Sequence, residues 1–438
     1  MKRTLSLAQN LADVLRSRTM RQTAFVLLGN GLSAALGFVA IVLVSRQLGP
    51  AAFGLFSAAT AVLALATDLS DLGMNAGLIR FASLYIGQAD FAKATLIFNI
   101  ALKIRLLVSS VAFGLVFLLA RPLAAYLLRE PALATPLRIA ICGIYGASLF
   151  SVALAMLQSY QFFGQVVTVN AVQGLARIAA LLGLLLLDRF QLEGVLTVYV
   201  TVPLLAFLVA VFLLPGGSFR WQACDRALAG QLMSFSKWIM LSILCVTLFN
   251  RLDVFMLTRL TDSEQVGIYS SAYKLAFVFP IITGALTTVL FPKVSALTGS
   301  EEIRWYLRRV LLLGVPVLAM LPLLLLIAGP LVTFIFGSEY VASIPIFRIL
   351  LAAFAISIVA NPIGLVFYAL DKPQMLTLLN ALQLAFNFLA NLWLVPRWGG
   401  VGAAWATMGV RVITVLYFGF HFHRALLTGS GDEAKIRQ

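Results

Sequence analysis

Runs of about twenty apolar residues, divided by short polar interruptions, recur along the whole chain. Read as helices rising 1.5 Å per residue through a hydrocarbon core of about 30 Å, they predict spans near 23–44, 53–75, 104–126, 136–158, 165–187, 192–214, 235–257, 266–291, 306–328, 346–369, 373–395 and 400–422. Ahead of them, LSLAQNLADVL at 5–15 places Leu7, Leu11 and Val14 on one helical face beside Leu15. That pattern predicts an interfacial helix within a cytoplasmic segment 1–22. The polar connection at about 215–234 is short, a tail is expected at 428–438, and 76–103 is too apolar to leave the membrane surface. An appended catalytic domain is therefore not expected. Nine of the fifteen prolines lie beyond residue 235, which predicts bent helices there.

The pattern is also doubled. SRQLGPAAFGLFSAA at 45–59 and TRLTDSEQVGIYSSA at 258–272 keep an Arg, a Gly and a Ser-x-Ala in the same places, 213 positions apart. Arg138 and Arg348 match at an offset of 210, as do Asn170-Ala-Val-Gln173 and Asn380-Ala-Leu-Gln383; Gly194 to Thr201 answers Gly400 to Thr407. Matches in consistent order define two halves, 23–214 and 235–427. Six spans each is an even number, so the halves run in the same direction about an axis along the membrane normal. Transporters of this design place the substrate cavity between their halves, and the doubled corner becomes an equivalent outward turn in each.

Composition narrows the class. The chain is 61% hydrophobic and 11% charged with a mean hydropathy of +0.99, against roughly 25% charge in soluble domains. A net charge of +15 would suggest nucleic acid in a soluble protein; here the placement of the cations matters more. With the N-terminus inside, twenty Lys and Arg fall on inner segments against six on outer ones, so both termini are expected to be cytoplasmic. Three cysteines and two histidines show no disulfide or metal spacing.

Ionisable side chains within spans cost about 2.5–3.5 kcal/mol each on insertion scales. Arg177 and Arg411 stand near the midplane, about twelve residues and hence about 18 Å from the start of their spans. They are expected to line an aqueous cavity, with structural pairing as the other reading. Arg251, Asp253 and Lys274 lie in the outer half; Asp253 with Lys274 reads as an ion pair. Asp68 and Asp71 share a face near the inner end of the second span, where Gly and Asn suggest a solvated helix end. More fixed cations than anions favour an anionic cargo such as a phosphate or pyrophosphate headgroup. Coupling to H+ or Na+ would require a carboxylate such as Asp253, Asp68 or Asp71; no cofactor is otherwise expected.

RQLGPAAFGLFSAATAVLALATDLSDLGMNAGLIRF at 46–81 and NRLDVFMLTRLTDSEQVGIYSSAYKLAFVFP at 250–280 resemble the two signature regions of the Wzx-type polysaccharide-biosynthesis flippases, within the multidrug/oligosaccharidyl-lipid/polysaccharide exporter superfamily. The resemblance runs through nearly the whole chain. It implies an all-α polytopic membrane protein of MATE-like fold, V-shaped about a central cavity. It also implies transfer of an undecaprenyl-pyrophosphate-linked oligosaccharide from the inner to the outer leaflet of a bacterial inner membrane by alternating access. On that reading Arg177, Arg251, Lys274 and Arg411 bind the cargo, and a glycan polymerase or export machinery is the partner. The first span carries Asn30 and no arginine, which departs from the peptidoglycan-precursor flippases and argues against that cargo. A drug-cation exporter of the superfamily predicts an acidic cavity, the reverse of this balance. A membrane glycan polymerase or ligase predicts a catalytic grouping beside a large outer loop, and none is evident.

The orientation is tested by cysteine accessibility. Labels at residues 50 or 262 are expected to react with an impermeant thiol reagent from outside, and a label at 225 only after permeabilisation; the reverse pattern discards the assignment.

Overall fold

The computed structural model describes residues 18–216, 225–295, 297, 299–370 and 372–427. The 5–15 helix, the 428–438 tail and residues 217–224 of the polar connection lie outside them. Among the described residues all regular structure is helical: α1 Arg18–Asp71, α2 Met74–Gly87, α3 Phe91–Leu118, α4 Ala134–Ser159, α5 Phe163–Leu186, α6 Leu192–Leu213, α7 Arg226–Leu260, α8 Ser263–Ala276, α9 Val278–Ser295, α10 Ser300–Phe336, α11 Ser343–Gly364 and α12 Pro373–Leu427.

Two of these helices are too long for one crossing. α1 and α12 run 54 and 55 residues, about 80 Å each at 1.5 Å per residue. Each is interrupted by a glycine with left-handed φ, Gly49 (71°) before Pro50 and Gly399 (52°), a conformation that costs a residue bearing Cβ. Each helix therefore supplies two spans, as the hydrophobic pattern anticipates.

The third span differs from expectation: it begins at Phe91, and the 76–103 segment consists of α2 and the start of α3. The Asp90 carboxylate caps α3 by accepting the Lys93 N–H at 3.0 Å, and Arg105, one of the twenty cations assigned to inner segments and helix ends, is buried with a carboxylate partner. The expected eighth span is divided into α8 and α9, the ninth extends over all of α10 with Pro316, Pro322 and Pro330 inside it, and α7 begins within the expected polar connection.

The chain forms two compact units. One comprises the chain up to Leu48 with Ala59–Tyr126 and Pro131–Thr247; the other comprises Gly49–Ala58, Leu127–Glu130 and the chain from Leu248. The first has a core of Leu78, Ile97, Phe98, Met156 and Leu157 from α2, α3 and α4. The start of α7 packs on α2 there, with the Arg80 guanidinium 4.5 Å from the centre of the Phe235 ring. The second buries Leu307, Val366, Phe367, Phe418 and Phe422.

Within the second unit the duplicated corners meet each other. A Cβ on Gly54 would overlap the Ser263 carbonyl and stand 2.9 Å from Gly267 N; a Cβ on Gly267 would overlap the Pro50 carbonyl and stand 3.1 Å from Gly54 N. Both the glycines and the carbonyls they approach are 213 positions apart, so the contact is reciprocal. Neighbouring backbone fills the space on each side, so any side chain must force the helices apart.

Gly54→Ala and Gly267→Ala are each expected to destabilise by about 1–3 kcal/mol, the usual cost of overpacking. Gly183→Ala in α5, where a Cβ meets nothing within 4 Å, should be neutral or stabilising. Thermal melts of the three purified variants decide this, and a corner variant as stable as the α5 control would refute the contact.

Candidate functional site

Two networks of buried polar side chains stand out among the described residues, one in each unit. In the first, the Arg105 guanidinium donates to Asp71 Oδ1 at 2.6 Å and to Asn75 Oδ1 at 2.9 Å, while Asn75 Nδ2 donates to Ser151 Oγ at 2.8 Å. Ser148 Oγ joins the network's neighbours Ser70 and Ser109 at 3.2 and 3.0 Å. Asp71 and Arg105 are 7% and 2% exposed, which corrects the expectation of a solvated helix end for Asp71. The reason is Arg105, reaching across from α3. Asp68 accepts from the Thr247 hydroxyl at 2.9 Å and lines a small recess with Leu65, Met240 and Leu244.

The second network surrounds Asp253. Its Oδ2 accepts from Tyr269 Oη at 2.6 Å and Thr407 Oγ1 at 2.9 Å, and its Oδ1 accepts from Asn391 Nδ2 at 2.8 Å. Asn391 also donates to the carbonyl of Asn387 and to its Oδ1, at 2.9 and 3.1 Å. Lys274, the partner expected from the sequence, is not among these donors. The carboxylate is held instead by neutral groups from α8 and from α12 on both sides of its kink. Asn391 Oδ1 is buried and accepts no hydrogen bond among the described residues.

The four predicted binding cations are all half-buried. Arg177, in the first unit, lies 4.6 Å from the centre of the Tyr199 ring. In the second unit the Arg411 guanidinium lies 5.7 Å from the Phe354 ring centre and 5.9 Å from that of Phe249. Among the described residues none of the four is held in an ion pair, whereas Arg105 is. Arg105, Asn75, Tyr269, Asn391 and Thr407 were not singled out from the sequence. The Asn387/Asn391 spacing of one helical turn was visible, but nothing linear connects it to Asp253.

The model of the family described as polysaccharide biosynthesis protein matches residues 19–298, well over half of the chain. The chain belongs to this family. The matched segment includes Asp68, Asp71, Arg105, Arg177, Arg251, Asp253 and Lys274. A probable low-salt glycan biosynthesis flippase, Agl15 of Haloferax volcanii, is 22% identical over 91% of this chain and 82% of its own length. Among solved structures, the inward closed conformation of the lipid II flippase MurJ superposes with a TM-score of 0.74 at 14% identity, over 92% of this chain and 90% of that one. An inward-facing multidrug resistance MATE family transporter of the MOP superfamily superposes with a TM-score of 0.70 at 16% identity, over 91% and 96%. The fold is thus the MATE-like fold of that superfamily, in a multi-pass membrane protein of the polysaccharide biosynthesis family.

Arg105→Ala leaves Asp71 buried without its cation and is expected to destabilise by about 3–5 kcal/mol, whereas Asp71→Leu combined with Arg105→Met should regain most of the loss. Melting temperatures of single and double variants test the pair. A double variant no more stable than the single would show that the charges do not compensate each other.

Proposed function

We propose that the protein translocates a lipid-linked oligosaccharide across the bacterial inner membrane for surface polysaccharide synthesis, with undecaprenyl pyrophosphate as the lipid carrier and both termini in the cytoplasm. The observation that carries this reading is the set of cations Arg177, Arg251, Lys274 and Arg411, retained in apolar spans and held in no ion pair among the described residues. Arg105 shows how this chain neutralises a cation that is only structural. An anionic headgroup supplies the missing countercharge: guanidinium forks take phosphate oxygens bidentately, and Lys274 adds a point charge. Family membership and the flippase relative support the class of cargo. A drug-cation exporter shares the fold, but its cargo would meet the same cations and be repelled.

Movement of the headgroup follows alternating access, with the binding cations facing first one side and then the other. Coupling falls to Asp253. Its carboxylate, the two asparagine oxygens, Thr407 and Tyr269 form an all-oxygen set suited to a hard cation such as Na+, and Asn391 Oδ1 is an acceptor such an ion would satisfy. H+ binding at the same carboxylate is the other form of coupling. Either event removes the negative charge from Asp253 and changes the acceptors offered to Tyr269 and Thr407. Asp68 and Asp71 are the first unit's carboxylates; Asp71, held by Arg105, is the less available of the two.

Export of glycan per molecule of inserted protein is expected to fall at least tenfold in Arg177→Ala and Arg411→Ala, the factor that about 1.4 kcal/mol represents. Arg→Lys at either site should retain part of the activity. Asp253→Asn should abolish dependence on a Na+ or H+ gradient in everted vesicles. Wild-type export by both alanine variants refutes the binding role; gradient-driven export by Asp253→Asn refutes the coupling role.

A further inference from the structure

We propose that a slot between α9, α10 and α11 in the second unit is a binding site for an anionic glycerophospholipid, separate from the cargo-binding cations. The slot has a volume of about 340 Å³ and is lined by Leu286, Leu290, Trp305, Tyr306, Arg309 and Ile358 among others, within the range of about 300–1,000 Å³ typical of ligand pockets. Its lining is hydrocarbon apart from Trp305, Tyr306 and Arg309, and the Arg309 guanidinium lies 3.9 Å from the Trp305 ring centre. Tyr306, on the same turn, is fixed by its hydroxyl bond to the Pro362 carbonyl at 3.0 Å, so this wall is built rather than adaptable.

Depth and charge identify the occupant. From Val310 to Phe336 the helix carries no charged residue, while Arg304, Arg308 and Arg309 precede that stretch directly. At 37 residues α10 is about 55 Å long and exceeds the hydrocarbon core by some 25 Å. Arg309 thus marks the level at which the helix leaves the hydrocarbon, and Trp305, 54% exposed, lies where aromatic residues sit at the headgroup boundary. Among the described residues no carboxylate lines the slot. The nearest acidic residues along α10 are Glu301 and Glu302, and Glu302 is used in capping, accepting the Gly299 N–H at 3.4 Å. An acyl chain fits the apolar walls, and a phosphate at the open end meets the guanidinium. Basic pockets between transmembrane helices recognise anionic headgroups in this way.

The test uses the full chain in detergent and in vesicles. Dibrominated phosphatidylglycerol and dibrominated phosphatidylcholine with the same acyl chains are titrated against tryptophan fluorescence in the wild type and in Trp305→Phe, and the difference reports quenching at Trp305. Phosphatidylglycerol is expected to quench Trp305 with about fivefold preference, matching the attraction of one cation at an anionic leaflet. Arg309→Gln should lose that preference; Arg397→Gln, at a cation stacked on Trp393, should keep it. Equal quenching by the two lipids overturns the proposal, and this outcome is readable without any arginine variant. Displacement of brominated phosphatidylglycerol by stoichiometric undecaprenyl phosphate also overturns it, by assigning the slot to the cargo. Failure of undecaprenyl phosphate to compete, with glycan export lost in Arg177→Ala, keeps this site and the transport reading distinct.

Discussion

The reciprocal approach of Gly54 and Gly267 constrains much of the second unit. Two helix starts can lie this close only where neither has a Cβ, and each corner must then begin its helix at the same level by its own means. Gly49 and Pro50 do so with a left-handed kink inside α1; Asp262 does so as a side-chain cap, accepting the Gln265 N–H at 2.8 Å. With α8 fixed, Gln265 reaches the Gly400 N–H at 3.1 Å, immediately after the kink of α12 at Gly399. Asn391 and Thr407 lie on opposite sides of that kink, and Tyr269 is two residues beyond Gly267. All three converge on Asp253, so the geometry of the buried carboxylate rests on the glycine contact.

The spans were legible because lipid leaves the backbone few options: each N–H and C=O must be satisfied within the segment, and hydrophobic length reports the crossing. Legibility failed where a charge had a partner distant in sequence. Arg105 read as a mark of the cytoplasmic edge, yet it is one of the least exposed residues of α3 because Asp71 and Asn75 accept its hydrogen bonds. The pairing of Asp253 with Lys274 failed for the opposite reason: opposite charge on the next helix suggested a partner, but neutral donors already fill the carboxylate's oxygens. Asn, Thr and Tyr are common enough in apolar spans that their convergence on one carboxylate, from more than a hundred residues away for Asn391 and Thr407, leaves no linear trace. The duplicated corner was legible as a repeat; that its two copies pack on each other was not, because a glycine records only that space is scarce.

The two buried carboxylates differ in what holds them. Asp71 has a guanidinium at 2.6 Å, so the pair is neutral as a unit and gaining a proton or cation would break it. Asp253 accepts three hydrogen bonds from uncharged groups and, among the described residues, is held in no ion pair. A buried carboxylate in that state has affinity for any small cation that can reach it.

The repeat makes this difference a property of one half. At the 213 offset of the corners, Ala40 stands where the second half has Asp253. At the 210 offset of the Asn-Ala-x-Gln segments, Arg177 stands where it has Asn387, and Leu181 where it has Asn391. Thr201 still answers Thr407, but its hydroxyl turns to its own helix, donating to the Thr197 carbonyl at 2.9 Å. Ala40 and Leu181 are fully buried, so the first half fills with hydrocarbon two positions that hold oxygen-bearing side chains, Asp253 and Asn391, in the second. It also puts a guanidinium where the second half has an amide. Three of the four equivalent positions therefore differ, which leaves a buried carboxylate among oxygen-bearing side chains in one copy and, among the described residues, an arginine held in no ion pair in the other. On the proposed function, a cation-driven exporter of an anion, those two sites must differ, and divergence between equivalent positions provides that difference without altering the helices that carry them.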